Sequence, residues 1–287
     1  MYETFTLREL KDGIIRGYQW KMADPDKVIC IVHGIGEYGG RYDRVAEKFK
    51  EANMATISMD LRGHGDSIEK KGHCAPRKEV LSDIDELIFY ARKYYPGKPV
   101  ILYGHSMGGN IALDYRSRGE FNDIPTAYLI SAPWVRLVKP VTGILYKTVK
   151  LLSNIAPSFT ISSAVDEKVL GHPDSVLPYN ENPMVHNRIS ALCAINGFEV
   201  GTALENGTHE TNGKGANIPT LIMHGTEDKI CDIAGTELVY DNLKARGKNV
   251  EFIRWPGLYH EIHNGSKDSR GDEVIDKMIE FFKSVTD

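Results

Sequence analysis

Ser106 lies in Gly104-His105-Ser106-Met107-Gly108, between the apolar run Pro99-Val100-Ile101-Leu102-Tyr103 and a helix-forming run that begins at Asn110. A serine on a sharp strand-to-helix turn holds its hydroxyl exposed, and the flanking glycines let neighbouring elements come close. That is the setting of a nucleophile. A hydroxyl also needs a base to take its proton and a third group to orient that base. Two later segments offer them. Leu221-Ile222-Met223-His224-Gly225-Thr226-Glu227-Asp228 reads as a strand running into a turn with two acids. Arg254-Trp255-Pro256-Gly257-Leu258-Tyr259-His260 reads as a strand running into a turn that ends in a histidine. Asp228 is the preferred acid and His260 the base. Glu227 is the alternative acid, expected to face solvent or to cap the next helix. An oxyanion needs two backbone N–H donors. Met107, directly after the serine, supplies one. Ile35, in the loop His33-Gly34-Ile35-Gly36-Glu37, supplies the other.

The same loop has a rival reading. Gly34-x-Gly36-x-x-Gly39 follows a strand and precedes a helix, and Asp60 ends the next strand. That is the pattern of a dinucleotide site, and so of a nucleotide-dependent oxidoreductase. It leaves the serine turn, the later acid and the later histidine without a role. Histidines 33, 64, 73 and 105 fall on separate loops without ligand spacing, so no metal is expected. No cofactor is expected either. Arg62-Gly63-His64-Gly65 reads as a tight structural turn.

Open parallel sheets place such groups on loops at the carboxyl ends of their strands, and the chain has the elements to build one. Apolar runs at Val28–Val32, Ala55–Met59, Pro99–Tyr103, Thr126–Ile130, Thr220–Met223 and Val250–Ile253 read as strands. Helical patterns fall between them, at about 41–53, 78–95 and 272–284. Continuous apolar strands interleaved with helices predict an α/β fold: a mostly parallel central sheet with helices on both faces. Thr4–Leu7 and Ile14–Gln19, around Asp12-Gly13, suggest an antiparallel hairpin at one edge.

The alternation breaks between about Pro133 and Gly215, which reads as helices and loops with no clear strand. Val141, Ile144, Leu145, Thr148, Val149, Leu152 and Ile155 form one helical stripe, with Pro140 in its first turn and Pro157 as its stop. The segment reads as an inserted helical cap. The expected division is a core of 1–133 and 213–287 and a cap of 134–212. Residues 205–217, rich in Gly and Asn, read as a mobile hinge.

The 287 residues can build a full core, and a net charge of −4 implies no basic face, so nucleic acid is not an expected partner. The four cysteines form no CxxC pair. Met1–Glu9 has no apolar core of a signal peptide, and no apolar run is long enough to span a bilayer. Asn206-Gly207-Thr208 and Asn264-Gly265-Ser266 match the glycosylation sequon but read as turns. A soluble, cytoplasmic protein is the expectation.

Together, His33-Gly34-Ile35-Gly36-Glu37, Asp60-Leu61-Arg62-Gly63-His64-Gly65-Asp66-Ser67, Gly104-His105-Ser106-Met107-Gly108-Gly109, His224-Gly225-Thr226-Glu227-Asp228 and Tyr259-His260-Glu261-Ile262-His263 resemble the serine α/β-hydrolases, specifically the monoacylglycerol lipase/lysophospholipase group. The resemblance runs from about residue 13 to 284. It implies a triad of Ser106, Asp228 and His260, an acyl-enzyme on Ser106 and a small lipid ester as substrate. It also implies an apolar lid over an acyl tunnel in the cap, and a polar network of Glu37, Arg41 and His263 beside the catalytic histidine. The nearer alternatives are a lysophospholipase, a broad-specificity carboxylesterase and a serine peptidase. The more distant ones are the oxidoreductase and a non-catalytic binding protein of the same fold. The cap's apolar helix, with Lys139, Lys147 and Lys150, suits transient contact with a membrane surface. The sequence carries no sign of oligomeric state.

Overall fold

The computed structural model describes residues 1–171, 182–209, 213–264 and 270–285. Strands β1 (Glu3–Leu10) and β2 (Gly13–Trp20) form the expected hairpin, and β2 pairs antiparallel with β4 (Met54–Met59). From there the sheet is parallel: β4, then β3 (Lys27–Val32), β5 (Val100–His105), β6 (Ala127–Ser131), β9 (Thr220–Gly225) and β10 (Val250–Trp255).

Side-chain alternation along these strands builds two cores. Val28, Cys30, Val32, Leu102, Ile130 and Ile222 point to one face. There they meet α2 (Arg77–Tyr94), α3 (Met107–Arg118) and α6 (Ile233–Ala245) through Ile84, Ile111 and Val239. Ile29, Ile31, Ile101, Tyr103, Leu129 and Met223 point to the other. There they meet Phe49 of α1 (Asp43–Glu51) and Met278 and Phe282 of α7 (Arg270–Ser284). The inner strands β3, β4, β5, β6 and β9 are buried on both sides, which is why the sequence shows unbroken apolar runs there instead of alternation.

Between β6 and β9 the chain leaves the sheet. It forms α4 (Gly143–Ile155), the short strands β7 (Thr160–Ser162) and β8 (Arg188–Ser190), and α5 (Ala191–Glu205). The two strands correct the expectation of a strandless segment. Each has three residues, too few for a period of two to register, and their partner is distant in sequence. The first helix also starts later than expected. Thr142 caps it by accepting from Leu145 N–H at 3.3 Å, so Pro140 lies outside its first turn. The buried face is shifted as well. Val149 and Ser153 are buried, whereas Ile144 and Ile155 of the expected stripe are 82% and 69% exposed. The helix packs on α5 through Tyr146 and Leu152, and Ile144, Leu151 and Ile155 face outward.

Within 205–217, residues 210–212 lie outside the described set, as does most of the second sequon. The described flanks are anchored. Asn242 donates to the carbonyls of Leu204 and Glu205, and Gly215 N–H donates to Asn122. No helix among the described residues is long and apolar enough to cross a membrane.

Candidate active site

Strand β5 delivers Ser106 to the sheet's carboxyl edge, and α3 begins at the next residue. The serine has φ 56° and ψ −118°, a left-handed geometry that costs a non-glycine residue about 1–3 kcal/mol. Three main-chain bonds hold it there. Ser106 N–H donates to Ser131 O at 3.0 Å, and Ser106 O accepts from Asn110 and Trp134 N–H groups at 3.0 and 2.9 Å. The flanking glycines are required by close approach. A Cβ on Gly108 would lie 2.0 Å from the Val32 carbonyl oxygen, and one on Gly104 would lie 2.3 Å from Gly108 O.

His260, on the loop after β10, brings Nε2 to 2.9 Å from Ser106 Oγ. Its Nδ1 is 2.7 Å from Asp228 Oδ2, on the loop after β9. Nδ1–H therefore donates to the carboxylate, and Nε2 is left to accept the serine proton. All three side chains are buried. Burial alone would lower the His260 pKa, but the Asp228 charge and hydrogen bond outweigh it and raise it. Burial likewise pushes the Asp228 pKa up, and His260 and His224 hold it below the ordinary carboxylate range. Glu227 points away to solvent and pairs with Lys229 at 2.9 Å, which removes it as the orienting acid.

Met107 opens α3, where a first-turn N–H has no partner within the helix. Ile35 lines the same pocket as Ser106. The loop carrying it passes tightly over the serine, since a Cβ on Gly34 would stand 3.0 Å from Ser106 Cβ. Gly34 N–H donates to Glu37 Oε1 at 3.2 Å, and Arg41 reaches Glu37 Oε2 at 3.2 Å. The further partner of this pair is Glu261, whose two oxygens receive Arg41 at 2.5 and 3.1 Å. The resemblance implies His263 in this place, two residues along the same loop. His263 stacks on Tyr42, with ring centres 5.4 Å apart, and stands edge-on to His105 at 5.0 Å. One guanidinium thus serves two buried carboxylates. Burial pushes Glu37 up to about 7, whereas Glu261, with the two-pronged bond to Arg41, is held low despite its burial.

His224 was also missed. It is fully buried and places Nε2 3.0 Å from Asp228 Oδ2. The only sequence signal was its place one residue before the turn that carries the acid.

The rival dinucleotide reading fails on Asp60. That carboxylate accepts from Gly39 N–H at 2.7 Å, Asp66 N–H at 2.8 Å and the Tyr18 hydroxyl at 2.9 Å, so it locks two loops together. His33 binds Gly34 O and Leu61 N–H, and His73 binds Ser190 Oγ, so both rings serve loop structure.

Above Ser106 lies a cavity of about 360 Å³, walled by Ile35, Trp134, Leu145, Val149 and Phe198. The arrangement sets a hydroxyl within hydrogen-bond reach of an imidazole at the floor of an apolar chamber.

Comparison with known proteins places this geometry in context. A family model described as Serine aminopeptidase, S33 matches residues 23–267. The chain is 32% identical over 244 residues to a monoacylglycerol lipase of Mycolicibacterium smegmatis, covering 84% of this chain and 83% of that one. It is 28% identical to phospholipase YtpA of Bacillus subtilis, covering 86% and 92%. The crystal structure of Paleococcus ferrophilus monoacylglycerol lipase superposes with a TM-score of 0.81 at 28% identity, over 94% of this chain and 99% of that one. A soluble variant of monoglyceride lipase from Saccharomyces cerevisiae shares the fold, with a TM-score of 0.86 at 21% identity over 100% and 95%. With a family match across most of its length and the parallel sheet that goes with it, the chain belongs to the α/β-hydrolases of the Serine aminopeptidase, S33 family.

Proposed function

We propose that this chain cleaves single-chain lipid esters, most readily monoacylglycerols, through an acyl-enzyme on Ser106. It is a carboxylic ester hydrolase by family and relatives. The observation that carries the finer reading is the line of contacts from Asp228 through His260 to Ser106 Oγ, at 2.7 and 2.9 Å, on the floor of an apolar cavity. Ser106 attacks the ester carbonyl while His260 takes its proton. His260 then protonates the leaving alcohol, and Asp228 stabilises the imidazolium. The N–H groups of Ile35 and Met107 receive the oxyanion, and the loss of one such donor typically costs about 3–4 kcal/mol. Glu37, Arg41 and Glu261 fix the oxyanion loop against the histidine loop, with His263 packed behind them. Water cleaves the acyl-enzyme by the same route.

Residues 134–212 act as the cap, and 1–133 with 213–287 as the core. The cap lends the cavity Leu145, Val149 and Phe198, which suit one acyl chain. Its outer face, with Ile144, Leu151, Ile155 and Phe159 exposed, suits transient docking on a lipid surface. Four free, buried cysteines fit a reducing, cytoplasmic compartment. The likeness to a phospholipase favours lysophospholipids as a second substrate class.

A hydrolysis panel tests the reading with purified protein and Ser106→Ala. It compares monoacylglycerols, lysophospholipids, p-nitrophenyl esters and aminoacyl amides across chain lengths. The expected result is Ser106-dependent hydrolysis, fastest on monoacylglycerols. Preference for short aryl esters moves the function to a general esterase, and wild-type turnover by Ser106→Ala removes the mechanism.

A further inference from the structure

Asp228 has two imidazole partners, and the mechanism uses one. His224 Nε2 lies 3.0 Å from Asp228 Oδ2 and 3.1 Å from the Cys231 carbonyl oxygen. Both neighbours only accept, so Nε2 carries a hydrogen. The opposite ring atom, Nδ1, is 2.9 Å from the hydroxyl of Thr236 in α6, which is itself fully buried. Oδ2 of Asp228 therefore receives His260 and His224 together. Oδ1 receives the N–H groups of Ile230 and Cys231 at 2.8 and 3.0 Å. A carboxylate offers about four lone-pair sites, and each has a donor.

We propose that His224 is a positioning residue for the reaction at Ser106: it holds Asp228 Oδ2 from a second direction and divides that oxygen's charge with His260. The inference rests on the reading of Ser106, His260 and Asp228 as the catalytic triad. Two consequences follow from the geometry. The carboxylate cannot rotate when His260 moves between the serine and the leaving alcohol. An oxygen shared by two N–H groups also stabilises the imidazolium less than an undivided one, so His260 releases its proton more readily to the leaving group. The other ionisable groups around His260 are Glu261 and His263 on its own loop, Glu37 on the loop after β3 and His105 at the end of β5. Lys229 faces Asp228 from its own turn. All of them stay in place in the variants below.

Three variants test this. His224→Gln keeps an N–H near the position of Nε2, His224→Met keeps bulk without a donor, and Thr236→Val frees the far side of the ring. The measurements are kcat and KM against pH on a soluble p-nitrophenyl ester, Ser106 labelling by a fluorophosphonate, and Tm. In His224→Met, kcat is expected to fall about ten- to a hundredfold at constant KM, the loss of one hydrogen bond to a charged group. The acid limb of its profile moves to higher pH, by about half to one pH unit. His224→Gln restores both, and Thr236→Val shows the same trend more weakly. An unmoved acid limb in His224→Met overturns the inference. So does an equal loss of kcat and Tm in the Gln and Met variants, which is the mark of a merely structural residue. A wild-type protein that neither takes the label nor cleaves the ester overturns the triad reading itself, and the inference with it.

Discussion

Two parts of the chain meet at Ser106, and they are built on opposite terms. On the sheet side the carboxylates around the serine, Asp228, Glu37 and Glu261, are buried and hydrogen-bonded. Asp228 has four donors, Arg41 bridges two carboxylates, and Gly108 fits against Val32 with no room for a methyl. On the inserted side, α4 buries only Val149 and Ser153 fully, and Ile144, Leu151 and Ile155 face outward. On the proposed function, the difference separates two tasks. Proton transfer requires contacts good to a few tenths of an ångström, which only a fully packed sheet edge supplies. Holding an acyl chain requires apolar wall, which tolerates looser packing and exposed neighbours.

The largest test of that division is Asp228→Asn. It keeps the shape of the sheet side and removes its charge, and kcat is expected to fall by about 10⁴. Thermal unfolding and steady-state kinetics together check it, and a loss of tenfold or less would mean that the buried contacts are not catalytic. A pair of glycines comes next. Gly108→Ala drives a methyl into the Val32 carbonyl and should cost about 3 kcal/mol or more. Gly143→Ala, at the start of α4, meets nothing within 4 Å and should stabilise by about 0.5–1 kcal/mol. Chemical denaturation measures both, and equal effects would erase the contrast between the two regions.

The response to pH sharpens it further. Burial pushes His33 and His263 down to about 4, from an ordinary 6.5. The unfolded chain therefore takes up these protons first. Their contribution to stability is complete above pH 6.5 and is lost as pH falls toward 4, at about 1.4 kcal/mol per pH unit for each ring. His260 has the opposite sign, because its pKa is raised. Its contribution is complete below pH 6.5 and is lost as pH rises through the folded value. Since His260 must be neutral to act as a base, the acid limb of kcat/KM should lie above pH 6.5. Melting curves and rates from pH 4 to 8 test both, and a Tm that is flat across that range would contradict the buried-histidine account. The smallest effect is expected on the outer face of the insert. Ile144→Ser combined with Leu151→Ser should slow hydrolysis of vesicle-borne monoacylglycerol by about tenfold or less and leave a soluble ester untouched. Equal slowing of both substrates would rule out a role in surface docking.

The sheet side was the more legible half, for a physical reason. A nucleophile turn needs its glycines and serine within five consecutive positions, and buried parallel strands need unbroken apolar runs, so both leave local patterns. Asp228 and His260 are legible as candidates because open sheets fix where such groups must lie along the chain, and the structure brings both to Ser106. Side-chain partners across loops leave no local trace. The resemblance implies His263 where Glu261 holds Arg41, and two residues on one turn differ in direction and not in spacing. His224 leaves no distinct trace, because a histidine at the end of an apolar strand has the pattern of a core position. In the insert, an apolar stripe showed that α4 was helical, but the packing of α5 decided which side was covered.

Part of the insert's seat on the sheet is main chain. Glu261 N–H donates to Leu170 O, His186 N–H to Gly36 O, and Ser190 N–H to Gly72 O. Asn110 of α3 donates to the carbonyls of Trp134 and Gly197. Carbonyls and amides are common to nearly every residue type, so these fastenings do not depend on which side chains the insert carries. Changes at the cavity-lining side chains Leu145, Val149 and Phe198 therefore leave these main-chain fastenings in place.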